Sequence, residues 1–400
     1  MEKKFKQKMK ILLVNSLYYP NSTGGAEKST QLLAEGLVNR GFKVVVVCIH
    51  SHKDSIKYHN GVKIYYLYHR NVYFRFKKKN FLDNMLKPLN HLIDLYNPWI
   101  GKAFNNILNI EKPNIVHTNN IYGLSPIIWK ETKKLKIPLV HTLRDYQLIC
   151  ARGIMFKKHK LCKNQCLECK MLTLTKKRLS KSINVVVGIS NYVLKKHLEY
   201  GLFKNTKKIV IPNPLLSEPL SSPKIYVNKP LRFLYLGGIF EHKGFYLLMN
   251  IFSKLEKVSN NYELWVGGKG KYKGNVSKNV KFLGFVKSEN IYPKVDVVIV
   301  PSLWNEPFGR IVIEANSYGL PVIGSNRGGI PEIIKHGETG FIFNADKENE
   351  LLKYIKMFIN KPELVLKLSL NCLKYSENFK KEKILDSYTK LYKTLVIKDA

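Results

Sequence analysis

Residues 296–340 read DVVIVPSLWNEPFGRIVIEANSYGLPVIGSNRGGIPEIIKHGETG, and the reading of the whole chain turns on them. A β-branched run over Val295–Pro301 predicts a buried strand. A loop carrying Glu306 follows, and apolar periodicity from Gly309 to Tyr318 predicts a helix. A second short run, Pro321–Gly324, then predicts another strand, with a helix over Pro331–Lys335. Strand, loop, helix, strand is the grammar of a parallel βαβ unit. In such units ligands sit at the carboxyl ends of the strands. Glu306 is therefore placed at a ligand-facing end, and the Phe308–Arg310 amides face outward at a helix start. Glu314 lies more than a turn into that helix among apolar neighbours. A carboxylate there needs a partner, since burying it alone costs about several kcal/mol. Paired sugar hydroxyls meet that need, and so does an ion pair with Arg310 one turn away.

The same grammar extends in both directions. Upstream strands are expected at Lys10–Asn15, Lys43–Cys48, Val62–Leu67, Ile115–Thr118, Leu139–Thr142, Val185–Gly188 and Lys208–Ile211. Ala26–Asn39, Pro88–Asn109 and Asn191–Tyr200 are expected to be helices between them. Pro212–Pro230 (PNPLLSEPLSSPKIYVNKP) breaks the rhythm with five prolines and three serines and reads as a linker. Strands then resume at Leu231–Leu236, Tyr262–Val266 and Val280–Leu283, with a helix over Lys243–Val258 and a helical tail over Lys347–Val396. The expected organisation is two α/β domains facing a cleft: residues 1–212, a linker over 213–230, and residues 231–400 with the tail included. A cysteine-containing insertion is expected at about 144–182.

Two further loops carry chemistry. Gly24-Gly25-Ala26-Glu27 follows the first strand, where glycines admit a closely approaching backbone and a helix start offers unpaired N–H groups to an anion. An ordinary strand-to-helix turn reads the same way. Gly237-Gly238-Ile239-Phe240-Glu241-His242-Lys243-Gly244 follows strand Leu231–Leu236. There Lys243 and helix N-terminal amides together suit a diphosphate.

Taken together, these motifs resemble the retaining glycosyltransferases of family four, which have the GT-B fold of two Rossmann-like α/β domains facing across an interdomain cleft. The Glu306-x7-Glu314 pair carries the resemblance, with Tyr235-Leu236-Gly237, Lys243-Gly244, Val266-Gly267-Gly268-Lys269-Gly270, Phe282-Leu283-Gly284 and Ile211-Pro212-Asn213. The resemblance implies that Glu314 binds the ribose of a nucleotide diphosphate sugar and Glu306 the transferred sugar. It implies that the Phe308, Gly309 and Arg310 amides approach the sugar and diphosphate, and that Lys243 neutralises the latter. Phe285 and Val286 would line the base pocket, and Gly24 and Gly25 would approach the donor from the other domain. Retention of anomeric configuration and no divalent metal for catalysis are implied as well.

Two departures from the family pattern stand out. Gly238 occupies the position, five residues before Lys243, where relatives often carry Arg. His141-Thr142-Leu143-Arg144-Asp145-Tyr146 puts Arg144 where many relatives have His before Asp. Arg144 cannot serve as a base near neutral pH, but it suits a sugar hydroxyl or an acidic acceptor. Asp145 or His141 is then the expected polar group nearest the reaction. Directly afterwards, Cys150, Cys162, Cys166 and Cys169 supply four thiolates, the number a structural zinc site needs; four reduced thiols are the alternative.

Composition bounds the partners. The chain of 400 residues carries a formal charge of +38, yet only nine of its 67 basic residues are Arg. Nucleic-acid readers favour guanidinium, so no nucleic acid is expected. His69–Lys87 and Lys157–Lys181 interleave basic and apolar residues and suit an anionic membrane surface. Near the start, the short apolar run at Ile11–Val14 falls below the roughly 7–15 residues of a signal peptide. The expected location is cytoplasmic, peripheral at the inner face of the membrane. The expected reaction moves a sugar from nucleotide diphosphate to an acceptor hydroxyl on a glycan or lipid-linked sugar, in surface polysaccharide or glycolipid synthesis. A sugar-nucleotide epimerase, a phosphorylase and a basic binding module with a decayed site are the competing readings.

Overall fold

The computed structural model describes residues 8–398 apart from 22–23, 75, 77–80, 82–84, 221 and 258. Two compact units emerge. One comprises Met1–Ile154, Lys163–Pro212 and Glu382–Ala400, the other Met155–Cys162 and Asn213–Lys381. Two sequence expectations change. The end of the chain belongs with the first unit, not the second domain. Within the expected insertion, residues 155–162 belong with the second unit. The basic cluster at 69–87 lies partly outside the described residues.

In the first unit the chain runs β1 (Lys10–Val14), α1 (Gly25–Asn39), β2 (Lys43–His50), β3 (Ser55–His59), β4 (Val62–Tyr68), α2 (Lys87–Leu95), α3 (Pro98–Glu111), β5 (Ile115–Thr118), α4 (Ile127–Lys134) and β6 (Leu139–Leu143). The hairpin β7 (Phe156–Lys157) and β8 (Lys160–Leu161) intervenes. The chain then continues with α5 (Leu167–Leu179), β9 (Val185–Gly188), α6 (Asn191–Glu199) and β10 (Lys207–Val210). The sheet order is β10-β9-β6-β5-β1-β2-β4-β3, parallel except for β3. Runs such as ILLV and VVVVCI are buried on both faces, as a parallel sheet covered by helices requires. β3 was missed because SIKYH pairs only as an exposed antiparallel edge. The single helix expected over 88–109 is two. Asn97 caps the second by accepting from Ile100 N at 3.1 Å, and Pro98 occupies its first turn, where no N–H is needed.

The second unit runs β11 (Leu231–Leu236), α7 (Phe245–Glu256), β12 (Tyr262–Gly267), β13 (Val280–Gly284), α8 (Ser288–Ile291), β14 (Val297–Val300), α9 (Arg310–Ser317), β15 (Val322–Ser325), β16 (Gly340–Phe343), α10 (Glu348–Asn360) and α11 (Glu363–Ser376). Its sheet, β13-β12-β11-β14-β15-β16, is parallel throughout. The expected helix at 331–335 is a 3-10 turn over Ile330–Glu332. The last helix, α12 (Lys381–Lys398), places Ile384, Leu385, Tyr388 and Tyr392 in the first unit's core.

Candidate active site

In the second unit, β11 and β14 are neighbours, and the strand order reverses between them. The crevice beyond the carboxyl ends of such a pair is where open α/β sheets take ligands. After β11 the chain makes a 3-10 turn over Glu241–Lys243, and Gly244 adopts φ 73° before α7. A Cβ on Gly244 would stand 1.7 Å from the Pro301 carbonyl oxygen, so only glycine lets this turn close on the end of β14. The two loops are also joined by the His242 carbonyl, which accepts from Leu303 N at 2.9 Å and Trp304 N at 3.1 Å.

Glu306 is the hub of this crevice. Lys243 Nζ donates to both of its carboxylate oxygens at 2.9 Å. Trp304 Nε1 donates to Oε2 at 2.7 Å and Ser302 Oγ at 3.2 Å. Lys243 Nζ also lies 4.9 Å from the Trp304 ring centroid. Behind Glu306, its backbone oxygen accepts from Gly329 N at 2.7 Å. A Cβ on Gly328 would fall 2.1 Å from that same oxygen. The glycine pair of residues 327–331 thus fixes where Glu306 sits, a role the sequence reading did not assign.

Gly309 takes φ 93° as the N-cap of α9, so the helix begins at Arg310 with its first amides at this end of the strand. Phe308 is buried and packs edge-on to Phe379. Glu314 accepts from the Tyr292 hydroxyl at 3.2 Å. Burial first, then the Glu314 charge, push the Tyr292 hydroxyl well above its ordinary pKa, so it remains a donor. Phe285 stands 75% exposed just past β13, with Lys269 Nζ 5.0 Å from its ring centroid. Lys269 was visible only as part of a glycine motif. Val286 packs beside Gly267.

In the first unit the reversal falls between β1 and β5. There Asn120 Oδ1 accepts from Ser16 Oγ at 2.8 Å, Tyr122 N at 3.0 Å and Gln147 Nε2 at 2.6 Å. Asp145 accepts from Gln147 N at 2.8 Å and Asn120 Nδ2 at 3.3 Å. Arg144 Nε donates to Asn119 Oδ1 at 2.9 Å, and burial lowers the guanidinium's pKa. Arg144 and Asp145 are therefore brought to one polar cluster with Asn119 and Asn120. The asparagines were missed, although both directly follow the strand β5.

Gly24 caps α1, and a Cβ there would stand 2.9 Å from Glu27 Oε2. The chain's own carboxylate thus lies over the glycine loop expected to face an anion. His141 requires a correction. It is 2% exposed, hydrogen-bonded to Thr118 Oγ1 at 2.8 Å and packed against Trp129 and Phe203. Burial above all pulls its pKa down to about 3. A neutral ring so enclosed packs the sheet and is not available to an acceptor.

The cysteines come partly together. The neighbouring Cys150 thiol, burial and Cys166 push the Cys169 thiol up. Among the described residues no group of three His, Cys, Asp or Glu side chains is arranged to hold a metal ion. His159, on the β7–β8 hairpin, pairs with Glu241.

The Glycosyltransferase Family 4 profile matches residues 23–215, and that of Glycosyl transferases group 1 matches residues 221–379. An uncharacterized 42.6 kDa protein in the cps region of Klebsiella pneumoniae is 40% identical over 334 residues, covering 81% of this chain and 87% of that protein. The chain belongs to glycosyltransferase family 4. An uncharacterized glycosyltransferase of Haemophilus influenzae is 27% identical over 303 residues, 70% of this chain and 85% of that protein. Among solved structures, sucrose-phosphate synthase from Thermosynechococcus elongatus has a TM-score of 0.73 at 19% identity, covering 97% of this chain and 99% of that one. Anabaena HepE in complex with UDP and glucose has 0.69 at 17%, covering 96% and 100%. These likenesses establish the fold of this glycosyltransferase as GT-B. No described helix is long and apolar enough to cross a membrane.

Proposed function

We propose that this glycosyltransferase takes a sugar from a nucleotide diphosphate donor and passes it, with retention, to an acceptor hydroxyl in building a surface polysaccharide or glycolipid. The observation that carries the reading is the Lys243–Glu306 pair at the β11/β14 reversal. Its setting is a family whose solved structural neighbours include one holding UDP and glucose, and a relative named for a cps region. Glu306 would take the hydroxyls of the transferred sugar, and Glu314 those of the ribose. Phe285, Val286 and Lys269 would meet the base. Lys243 and the first amides of α9 would stabilise charge developing on the leaving diphosphate. Glu306 is a poor nucleophile here, because a lysine and two further donors hold its charge. Proton removal from the acceptor therefore falls to a donor phosphate oxygen, not to a carboxylate pair of the kind glycoside hydrolysis uses. On the first unit, Arg144 and Asp145 would meet the acceptor.

Thermal unfolding against a panel of nucleotide diphosphate sugars tests the donor, since a ligand bound to the folded state raises stability with its occupancy. Product anomers read by NMR test retention. No midpoint shift with any member of the panel would end the donor reading, and an inverted product would end retention.

Zinc on Cys150, Cys162, Cys166 and Cys169 is a separate proposal. Thiols meeting at Cys169, and the Ala151 amide donating to its sulfur at 3.4 Å, support it. The lack of any three-ligand arrangement among the described residues counts against it. Elemental analysis of the purified chain decides: zinc lost in Cys169→Ser supports the site, and metal-free folded protein removes it.

A further inference from the structure

Two neighbouring helices of the first unit expose apolar side chains. A helix on a globular domain normally turns its apolar stripe inward. α2 instead buries Asn90 and Asp94, at 2% and 7% exposure, and presents Leu89 and Leu92 at 47% and 56%. The buried polar groups are satisfied: Asn71 Nδ2 donates to Asp94 Oδ1 at 2.9 Å, and Gly123 N donates to Oδ2 at 3.3 Å. α5 packs beside α2 and likewise turns apolar side chains outward. It buries Cys169 and Thr173 and exposes Leu167, Met171 and Leu174, spaced four and three apart on one face. Just beyond α2, Tyr96 and Trp99 are also exposed. Apolar residues exposed in such a row need an occupant.

The charge around them says which. Lys170, Lys177 and Arg178 are exposed on α5 and Lys102 on α3, while Lys130 Nζ donates to the Tyr96 hydroxyl at 3.0 Å. Glu168 is the exposed acid on α5. A second copy of the chain, itself at +38, would set lysine against lysine. An anionic leaflet offers acyl chains to the leucines and phosphates to the lysines, with Tyr and Trp at the boundary. We propose that the face formed by α2 and α5 docks this enzyme on an anionic phospholipid bilayer. The proposal rests on the outward faces of two helices and is independent of the donor reading.

Co-sedimentation of the full chain with vesicles tests it. Binding is expected to phosphatidylcholine vesicles carrying about 30 mol% phosphatidylglycerol, and to weaken about tenfold in neutral vesicles or when salt is raised from about 0.1 to about 0.5 M. The triple variant Leu89→Ser, Leu92→Ser, Met171→Ser should bind about tenfold more weakly, with its thermal midpoint unchanged because these side chains are exposed. Lys170→Glu with Lys177→Glu should do the same through charge. Failure of the parent to sediment would overturn the proposal. So would triple-variant binding equal to the parent's, or light scattering showing a dimer that the triple variant dissolves.

Discussion

Lys243 Nζ stands 2.9 Å from each carboxylate oxygen of Glu306, so the cation assigned to the diphosphate and the acid assigned to the sugar hold one another. Each residue orients the other, and removing either leaves a half-buried charge without its counter-charge. Their effects on turnover should therefore overlap. Lys243→Ala and Glu306→Gln are each expected to lower kcat/KM about a hundredfold or more, and the double variant by clearly less than the product of the two losses. Losses that multiply would show the pair acting independently and remove this coupling.

Trp304 positions that carboxylate through one N–H. Trp304→Phe keeps a ring near Lys243 and deletes the 2.7 Å hydrogen bond to Glu306. A hydrogen bond to a charged group is worth about 1.5–3 kcal/mol. The variant should lose about tenfold or more in kcat, with donor KM near the parent's and the thermal midpoint little moved. Equal loss in the Glu306→Gln background would show that Trp304 acts by some route other than this acid.

How much of this was readable beforehand depended on the kind of constraint. Parallel strands buried on both faces are continuous apolar runs, so β5, β9 and β11 were legible to the residue. Glu306 and Lys243 stood at a strand end and a helix start, and Glu314 stood out as a carboxylate among apolar helix neighbours. Roles set by distant segments were not legible. Gly328 and Gly329 brace Glu306 from beyond β15, and nothing in their local sequence names that partner. His141 looked like a site residue because it stands just before Arg144-Asp145, where many relatives carry His-Asp. Only Trp129 and Phe203, closing over it from other elements, show that it is packing. The outward apolar faces of α2 and α5 were similarly hidden, since apolar periodicity reports a stripe but not which way it points.

Glu314 offers a direct test of donor affinity. Its carboxylate accepts from the Tyr292 hydroxyl at 3.2 Å. Glu314→Ala should weaken nucleotide-sugar binding about ten- to a hundredfold. Tyr292→Phe, which only unfastens the carboxylate, should cost less, about threefold. Calorimetric titration separates the two, and unaltered affinity in Glu314→Ala would contradict a ribose role.

Acid should weaken the first unit from neutral pH downward. Burial holds His141 down to about 3, His197 to about 4, and His117 well below its ordinary range. In the unfolded chain each titrates near about 6.5. The unfolded state therefore binds more protons between about pH 6.5 and 4, and stability falls as pH drops through that window. Glu111 acts lower down. Burial alone would raise its pKa, but hydrogen bonds from Lys63, Tyr65 and Lys10 outweigh that and hold it at about 2. Its contribution is complete above about pH 5 and drains away toward pH 2. Thermal midpoints measured from pH 7 to 4 should decline steadily, and His197→Gln should flatten the decline by about one proton. A level profile across that range would mean the histidines are not buried neutral.

The end of the chain should prove structural for the first unit. Leu385 on α12 packs so closely against α1 that a Cβ on Gly36 would come within 2.5 Å of it. Tyr392 and Tyr388 enter the same core. The Tyr392 hydroxyl meets His117 Nδ1 at 2.6 Å, and His117 Nε2 meets Thr142 Oγ1 at 2.7 Å. Tyr392→Phe leaves a buried ring nitrogen without its partner and should cost about 1–3 kcal/mol. Leu385→Ala opens a cavity and should cost about 2–5 kcal/mol. Truncation before Glu382 strips the apolar face of α12 from β-sheet residues such as Ile11, Val46 and Ile64. Limited proteolysis of the truncated chain should then cut within residues 8–212 and spare 213–381. Equal resistance of both segments would show that the first unit closes its core without the final helix.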